Sequence, residues 1–303
     1  MKAAIYFNEL QPLLYGYYIC KGVIFLHRKI SAAVFTVLTA MFMCGCTSDK
    51  NTVGQSAGHN DRGGVTPAET AFLTDGKEKV CYGQGYETDS DNRPVGAIQA
   101  QEKYGSYGGR FIFGKDDKTI RLTFDEGYEN GCTGKILDIL KEKKVTATFY
   151  VTLDYVKSSP ELVQRMINEG HEVGNHSCTH PSLPDISDDM VFEEIHGLET
   201  YISDNFGGYK TVTMRPPRGE FSVRTLRIAK NMGYDTVLWS FAYNDWNTDA
   251  QPDRDTAYRR ITSATHTGAV YLLHAVSETN TAILPDVIDY WLDNGYTVKS
   301  ISG

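Results

Sequence analysis

The chain has 303 residues, of which 41% are hydrophobic and 22% charged, and its formal net charge is −8. This length and apolar content allow one sizeable hydrophobic core, and an α/β barrel can use over 200 residues as a single domain. The acidic balance argues against nucleic acid as a partner, because proteins that bind nucleic acid carry clustered positive charge.

The N-terminus is typical of an exported protein. The basic letters HRK at 27–29 precede an apolar run over 30–43, the order of a secretory signal, and the run is short for a transmembrane helix. The letters MCGC at 43–46, followed by a polar stretch, resemble a bacterial lipoprotein cleavage box and predict a lipid on Cys46. A secreted protein without the lipid, or an uncleaved anchor, is the alternative. All of these place the rest of the chain outside the cytoplasm, with the membrane as a partner of the lipidated form.

Residues 47–91 are predicted to form a flexible polar tether after the signal and lipoprotein segment 1–46. They are rich in Gly, Ser, Thr, Asn and Asp and show no sustained hydrophobic periodicity. Residues 92–303 are assigned to one folded domain. The three cysteines beyond Cys46 are an odd number and predict no disulfide framework, although one bridge is possible: Cys81, Cys132 and Cys178.

From residue 119 onward, short β-branched or aromatic runs alternate with amphipathic segments of helix length, which predicts βαβ units and a parallel sheet. The predicted strands are 120–124, 147–151, 172–175, 212–215, 236–240, 269–273 and 296–299. The predicted helices are 134–141, 160–169, 188–205, 222–232, 256–265 and 283–293. The pattern predicts a distorted or incomplete (β/α) barrel of about seven parallel strands. The active site is expected at the carboxyl ends of the strands.

Ionisable residues follow several of these strands. Asp125 and Glu126 end the first strand just before Gly127, where the backbone can turn sharply. Adjacent carboxylates in such a place more often form a solvated turn. His176 and His180 follow the third strand and can face one metal ion if the segment is a helical turn. A helix surface or a buried, hydrogen-bonded histidine is the alternative.

Three further elements follow later strands. Arg215 opens the letters RPPRG at 215–219, where two prolines fix the backbone and the arginine can reach a carboxylate. A rigid surface turn is the alternative for this stretch. Asp245 lies in the letters NDW at 244–246, and His274 ends an apolar strand. A lone histidine at a strand end is usually structural, but the five elements together favour a site.

Taken in order, these five elements resemble the motif set of the NodB-type polysaccharide deacetylases, carbohydrate esterase family four. The stretches TFDEGYEN at 123–130, VLWS at 237–240 and LHAVS at 273–277 resemble its δ-lactam-biosynthetic de-N-acetylase branch. The resemblance covers about residues 92–303 and implies an amide hydrolase that removes N-acetyl groups from peptidoglycan, first from N-acetylmuramic acid. The alternatives are a deacetylase of N-acetylglucosamine or of another N- or O-acetylated polysaccharide, and a catalytically weak wall-binding lipoprotein.

The resemblance also implies a role for each residue of a base and acid pair. Asp125 is expected to be the general base, oriented by Arg215. His274, oriented by Asp245, is expected to protonate the leaving amine. The backbone N–H of Arg218 is expected to stabilise the tetrahedral oxyanion.

A divalent metal ion, most simply Zn²⁺, is implied at His176 and His180. The third ligand of the family is an Asp at the position of Glu126, and the δ-lactam branch tends to carry Asn there. Glu126 is therefore a departure from the pattern. Its side chain is one methylene longer, so as a ligand it would bind from a displaced position.

Overall fold

The computed structural model describes residues 76–303 together with residues 19–20 and 23–24. In the N-terminal part, β1 (Ile19–Cys20) pairs antiparallel with β2 (Val23–Ile24). Apart from these two short strands, the predicted signal and lipoprotein segment, with Cys46, lies outside the described residues, as does 47–75 of the predicted tether.

A parallel sheet forms the centre of residues 76–303. Its strands are β4 (Gly109–Arg110), β5 (Thr119–Glu126), β6 (Thr148–Val151), β7 (Glu172–Asn175), β8 (Thr213–Met214), β10 (Asp235–Val237), β11 (Val270–His274) and β12 (Thr297–Lys299). Their order is β11-β5-β6-β7-β8-β10-β4, and β12 also pairs with β5. An isolated parallel bridge between Phe241 and Tyr271 brings the chain beyond β10 against β11. The curled parallel sheet confirms the predicted distorted barrel.

Eight α-helices occur in residues 76–303, and six of them correspond to the predicted ones. They are α1 (Val95–Tyr104), α2 (Thr133–Lys143), α3 (Leu153–Ser158), α4 (Pro160–Asn168), α5 (Asp188–Asn205), α6 (Val223–Asn231), α7 (Arg254–Ser263) and α8 (Glu278–Asp293). The sequence pattern missed α1, whose apolar stripe is weak, and α3, which has only six residues. Within this part of the chain, no helix is long and apolar enough to span a bilayer.

The side chains of β5 alternate between two faces of the sheet. Ile120, Leu122 and Phe124 belong to the larger hydrophobic cluster, which includes residues of the covering helices α2 and α8. Asp125 has the opposite parity and faces the inside of the curled sheet. In register it lies beside His274 of β11, so strand pairing alone brings these two residues together.

Residues 80–84 are packed against the catalytic body and are not part of a free tether, so the predicted domain boundary at residue 92 is wrong. β3 (Val80–Cys81) pairs antiparallel with β9 (Glu220–Phe221). The Tyr82 hydroxyl donates to the Trp239 carbonyl at 2.7 Å, and Gln84 accepts from the Trp239 ring nitrogen at 3.0 Å. Val80 and Tyr82 also pack against the smaller hydrophobic cluster, but two apolar residues are too few to produce a recognisable strand pattern in the sequence.

The three cysteines of residues 76–303 are all free thiols: Cys81, Cys132 and Cys178. The bridge that the sequence left open is therefore not formed among them. This part of the fold is held together by packing and hydrogen bonds.

Candidate active site

Arg215 directly follows β8 and is anchored by three of its nitrogens. One guanidinium nitrogen donates to Asp125 Oδ1 at 2.7 Å, while Nε and the other terminal nitrogen donate to the carbonyls of Val237 at 3.1 Å and Leu238 at 3.2 Å. The guanidinium also lies 4.3 Å from the centre of the Tyr150 ring. Arg215 is fully buried, so its position is set by these contacts and it presents a fixed positive charge to Asp125.

Asp125 is held as a carboxylate in the interior of the sheet. Its side chain is 12% exposed, and Oδ2, the oxygen not bonded to Arg215, lies 3.6 Å from His176 Nε2. Burial by itself would raise the pKa of Asp125, but the charge and hydrogen bond of Arg215, supported by His176 and His274 when they are protonated, outweigh it, and the pKa is lowered. Asp125 therefore keeps the ionised form that a general base requires.

His274 and Asp245 form a second pair beside Asp125. His274 Nδ1 lies 2.7 Å from Asp245 Oδ1, and the backbone N–H of His274 donates to Asp245 Oδ2 at 2.9 Å. The pKa of His274 is raised, because the hydrogen bond and charge of Asp245 outweigh the opposing effect of burial. With Nδ1 engaged, Nε2 is the ring atom that can transfer a proton.

His176 and His180 also come together, although the segment between them is not a helical turn. Ser177 has a φ of 68° and His180 a φ of 58°, so the backbone enters the left-handed region twice. The Asn175 side chain accepts from the Ser177 N–H at 2.9 Å, and the Ser177 hydroxyl accepts from the His180 N–H at 3.0 Å. These bonds fix a turn that places the two rings edge to face, 4.9 Å between centres.

Both imidazoles are neutral in this setting. Burial lowers the pKa of His176, and burial together with the repulsion that the two rings would feel when both are protonated lowers the pKa of His180 to about 4. His176 Nδ1 lies 2.8 Å from the Arg215 carbonyl, so Nδ1 carries the proton and Nε2 keeps a lone pair. A neutral imidazole with its other nitrogen hydrogen-bonded is the form that ligates divalent metals.

Glu126 lies on the opposite face of β5 from Asp125. It pairs in register with Val151, which belongs to the larger hydrophobic cluster. It is fully buried, and neither carboxyl oxygen has a hydrogen-bond partner of adequate geometry. Burial, and then the charges of Glu129 and Asp125, raise the pKa of Glu126 well above its usual value; Thr133 opposes this only in part. Glu126 is therefore a neutral acid packed under the helices.

The donor set fits a divalent metal ion only in part. The two neutral imidazoles are suitable ligands, but Glu126 lies on the opposite face of β5 from Asp125, the residue whose carboxylate lies 3.6 Å from His176. Within residues 76–303, no group of three or more His, Cys, Asp or Glu side chains is arranged to hold an ion. The two-histidine part of the predicted metal site is thus assembled, whereas the predicted third ligand faces away from it.

Arg218 lies in the turn after Arg215 with its side chain exposed and a φ of 61°. Burial is the main cause of the lowered pKa of His180, and the hydrogen bond from Lys79 is the main cause of the lowered pKa of Asp185; the Arg218 charge adds to both, so the guanidinium lies within electrostatic range of His180. The next residue is Gly219, where a Cβ would lie 2.6 Å from the Trp239 ring. This close approach holds the turn against the sheet. The role of the Arg218 backbone N–H in the oxyanion site remains a prediction.

Two residues of the site carry no recognisable signal in the sequence. Asn280 of α8 donates from Nδ2 to Asp245 Oδ2 at 2.6 Å. The hydroxyl of Tyr243 makes a short hydrogen bond to Asn280 Oδ1. Both are buried, and only the tertiary structure brings them to Asp245.

The order of the motifs, the curled parallel sheet and the paired base and acid define the class of protein. Residues 114–237 match the family model described as polysaccharide deacetylase. The chain belongs to the polysaccharide deacetylase family, as the motifs predicted.

Individual relatives sharpen this assignment. The chain is 43% identical over 200 residues to the peptidoglycan-N-acetylmuramic acid deacetylase PdaA of Bacillus subtilis, covering 66% of this chain and 75% of that protein. The solved structure of Bacillus subtilis PdaA, described as a family 4 carbohydrate esterase, matches with a TM-score of 0.71 and 39% identity over 75% of this chain and 96% of that one. A Bacillus anthracis protein described as a family 4 pseudoenzyme matches with a TM-score of 0.60 and 27% identity, covering 64% and 67%.

Proposed function

We propose that this chain hydrolyses the N-acetyl group of amino sugars in peptidoglycan, with N-acetylmuramic acid as the substrate sugar. The observation that carries the proposal is the placement of Asp125 and His274 side by side on β5 and β11, each with its own buried partner. Amide hydrolysis needs a base for the attacking water and an acid for the leaving amine. The similarity to PdaA supports the choice of sugar.

Asp125 performs the base step. Its Oδ2 is directed to the histidine side of the site, where it can accept a proton from the attacking water, while Arg215 holds Oδ1. A divalent cation bound by His176 and His180 would lower the pKa of that water and polarise the acetamide carbonyl. The lowered pKa of Asp125 keeps the base ready over the whole neutral range.

His274 performs the acid step from the neighbouring strand. Asp245 accepts the Nδ1 hydrogen, which holds the ring in one orientation and stabilises the imidazolium. The raised pKa keeps His274 protonated at higher pH than an ordinary histidine, and Nε2 donates to the nitrogen of the departing amino sugar. The backbone N–H of Arg218 completes the site as a donor to the tetrahedral oxyanion.

The rim of the site favours N-acetylmuramic acid over N-acetylglucosamine. The two sugars differ by a lactyl ether, which ends in a free carboxylate on an N-acetylmuramic acid residue that carries no stem peptide. Arg218 supplies an exposed cation beside His180, where it can pair with that carboxylate. We expect Arg218→Ala to raise KM for the muramic acid substrate and to leave KM for N-acetylglucosamine oligomers unchanged.

Acetate release from peptidoglycan, followed by mass spectrometry of the digested glycan, tests the proposal. We expect acetyl loss from N-acetylmuramic acid with wild-type protein and none with Asp125→Asn. Acetyl loss from N-acetylglucosamine alone would overturn the choice of sugar. If no N- or O-acetylated glycan released acetate with any divalent metal, the alternative of a glycan-binding protein would hold, and the similarity to a pseudoenzyme gives that outcome a structural precedent.

We also propose that the protein acts outside the cytoplasm, held to the membrane by a lipid on Cys46. The charged-then-apolar order at 27–43 and the cysteine that follows support this. Cell fractionation with mass spectrometry of the N-terminus tests it. We expect wild-type protein in the membrane fraction with a diacylglyceryl group, and Cys46→Ser protein without it; an unmodified wild-type cysteine would contradict the proposal.

A further inference from the structure

A chain of buried polar groups extends from the catalytic histidine into helix α8. We propose that Asn280 and Tyr243 are positioning residues, which fix the orientation of Asp245 and through it the imidazole of His274. The kinetic test of this inference rests on the proposed deacetylase function, whereas the test by NMR spectroscopy does not depend on activity.

Asp245 shows why a further partner matters. Its side chain is fully buried, so no bulk water can replace a lost bond. Oδ1 bonds His274 Nδ1, whereas Oδ2 accepts from the His274 backbone at 2.9 Å and from Asn280 Nδ2 at 2.6 Å. Asn280 is therefore the side chain that holds Oδ2. Without it, Oδ2 keeps the bond from the His274 backbone alone, and the carboxyl group can rotate together with the His274 ring.

Tyr243 determines which way the Asn280 amide faces. An ionised carboxylate can only accept hydrogen bonds, so the amide nitrogen must be turned toward Asp245. The Tyr243 hydroxyl bonds Asn280 Oδ1 on the other side, and burial raises the pKa of Tyr243, so the hydroxyl stays a donor. A flipped amide would place oxygen against oxygen at Asp245 and an N–H against the Tyr243 donor.

The backbone of Asn280 is fixed by the start of α8. The Ser277 hydroxyl caps the helix by accepting from the Asn280 N–H at 3.1 Å. Because Ser277 follows the strand-end His274 closely and bonds its carbonyl, the cap ties the position of Asn280 to the strand that carries the acid. The hydrogen bonds from Tyr243 to Asn280, from Asn280 to Asp245 and from Asp245 to His274 form a relay. Through Asp245 it joins the end of β11 to the first turn of α8.

Steady-state kinetics tests the inference with Asn280→Leu, which keeps a similar volume and removes the donor. We expect kcat to fall by roughly tenfold to a hundredfold, with KM within about twofold, because a charge-assisted bond is lost that does not touch substrate. Tyr243→Phe removes only a hydroxyl and should lower kcat by roughly threefold to tenfold. Thr281→Val is the matched control: it removes a buried hydroxyl bond to the Ser277 carbonyl in the same helical turn but does not contact Asp245.

A double variant decides whether the two residues act in one chain. If Tyr243 acts only through Asn280, Tyr243→Phe should cause no further loss of kcat in the Asn280→Leu background. Losses that multiply would overturn the relay. An unchanged kcat in Asn280→Leu, with wild-type protein active, would overturn it as well.

Proton NMR of the His274 Nδ1 hydrogen gives a readout that needs no activity. The strong bond to Asp245 places this signal far downfield, and we expect it to move or exchange rapidly in Asn280→Leu but to persist in Thr281→Val. If wild-type protein releases no acetate, the proposed function fails while this measurement still tests the positioning role. An unshifted signal in Asn280→Leu overturns the inference whatever the activity.

Discussion

The two faces of β5 hold neighbouring carboxyl groups in opposite electrostatic settings. On the inner face, Asp125 meets Arg215 and two histidines, and its pKa is lowered. On the outer face, Glu126 lies under the helices without a hydrogen-bond partner, and its pKa is raised. One step along a strand therefore separates an ionised base from a neutral acid. The carboxyl groups of Asp and Glu have similar pKa values in water. The difference between Asp125 and Glu126 therefore comes from the face of the strand that each one occupies.

The largest expected effect is the loss of activity on removing the inner carboxylate. Asp125→Asn should lower kcat roughly a hundredfold to ten-thousandfold, the contribution of a positioned general base. Glu126→Gln is the matched control and should change kcat less than about twofold, because a neutral acid on the outer face takes no part in proton transfer. Acetate release measures both. A comparable loss in the two variants would mean that Glu126 reaches the site.

Metal affinity is the next test of the comparison. His180→Ala should weaken Zn²⁺ binding by more than about tenfold, since outer-shell changes alone cost that much. Glu126→Gln should leave the affinity within about twofold, because Glu126 does not lie with the two histidines. Isothermal titration calorimetry gives both values. Equal weakening in the two variants would show that Glu126 turns inward when metal binds.

Arg215→Lys tests how far the hydrogen bonds of Arg215 hold Asp125 in place on the inner face of β5. Lysine keeps the charge but cannot make the three fixed bonds, so we expect kcat/KM to fall roughly tenfold and thermal stability to drop. Arg121→Lys is the control, since Arg121 pairs with Asp117 at 2.7 Å and covers the Phe113 ring away from the site. It should affect stability alone. Equal loss of kcat/KM in both would indicate a general packing effect.

The smallest expected effect is a loss of folding stability at rising pH, caused by the buried carboxyl group of Glu126. Because the folded pKa of Glu126 is raised, the unfolded chain releases its proton first as pH rises, so stability is lost from about pH 4 up to the folded pKa. Glu126→Gln cannot ionise and should gain on wild type by about 1.4 kcal/mol per pH unit in that window, with no difference below it. Urea unfolding at several pH values measures this.

The control for that series is Glu142→Gln, a change at an exposed residue of α2. Its unfolding free energy should follow wild type at every pH. Parallel curves for Glu126→Gln and wild type would instead mean that Glu126 is ionised in the folded protein, and the contrast between the two faces of β5 would fail.

Local residue patterns were enough to predict the family and most of the sheet. The strand from Ile120 to Phe124 was predictable because a buried strand requires a run of apolar residues, which is visible in the local sequence. Asp125 and His274 were predictable because polar residues at the ends of such runs meet on one edge of a parallel sheet. The face of Glu126 was also implicit: it has the same parity as Leu122 and Phe124, but an acidic pair is easily interpreted as one functional unit.

The contacts that hold the site together could not be predicted, because they join residues that are far apart in the chain or in irregular turns. The turn that joins His176 to His180 depends on side-chain bonds from Asn175 and Ser177 to the backbone, and no periodic pattern predicts it. Gln84 reaches Trp239, and Asn280 reaches Asp245, across long stretches of chain. Hydrophobic burial repeats with the period of a strand or helix, whereas a single hydrogen bond between distant residues depends on how the chain closes.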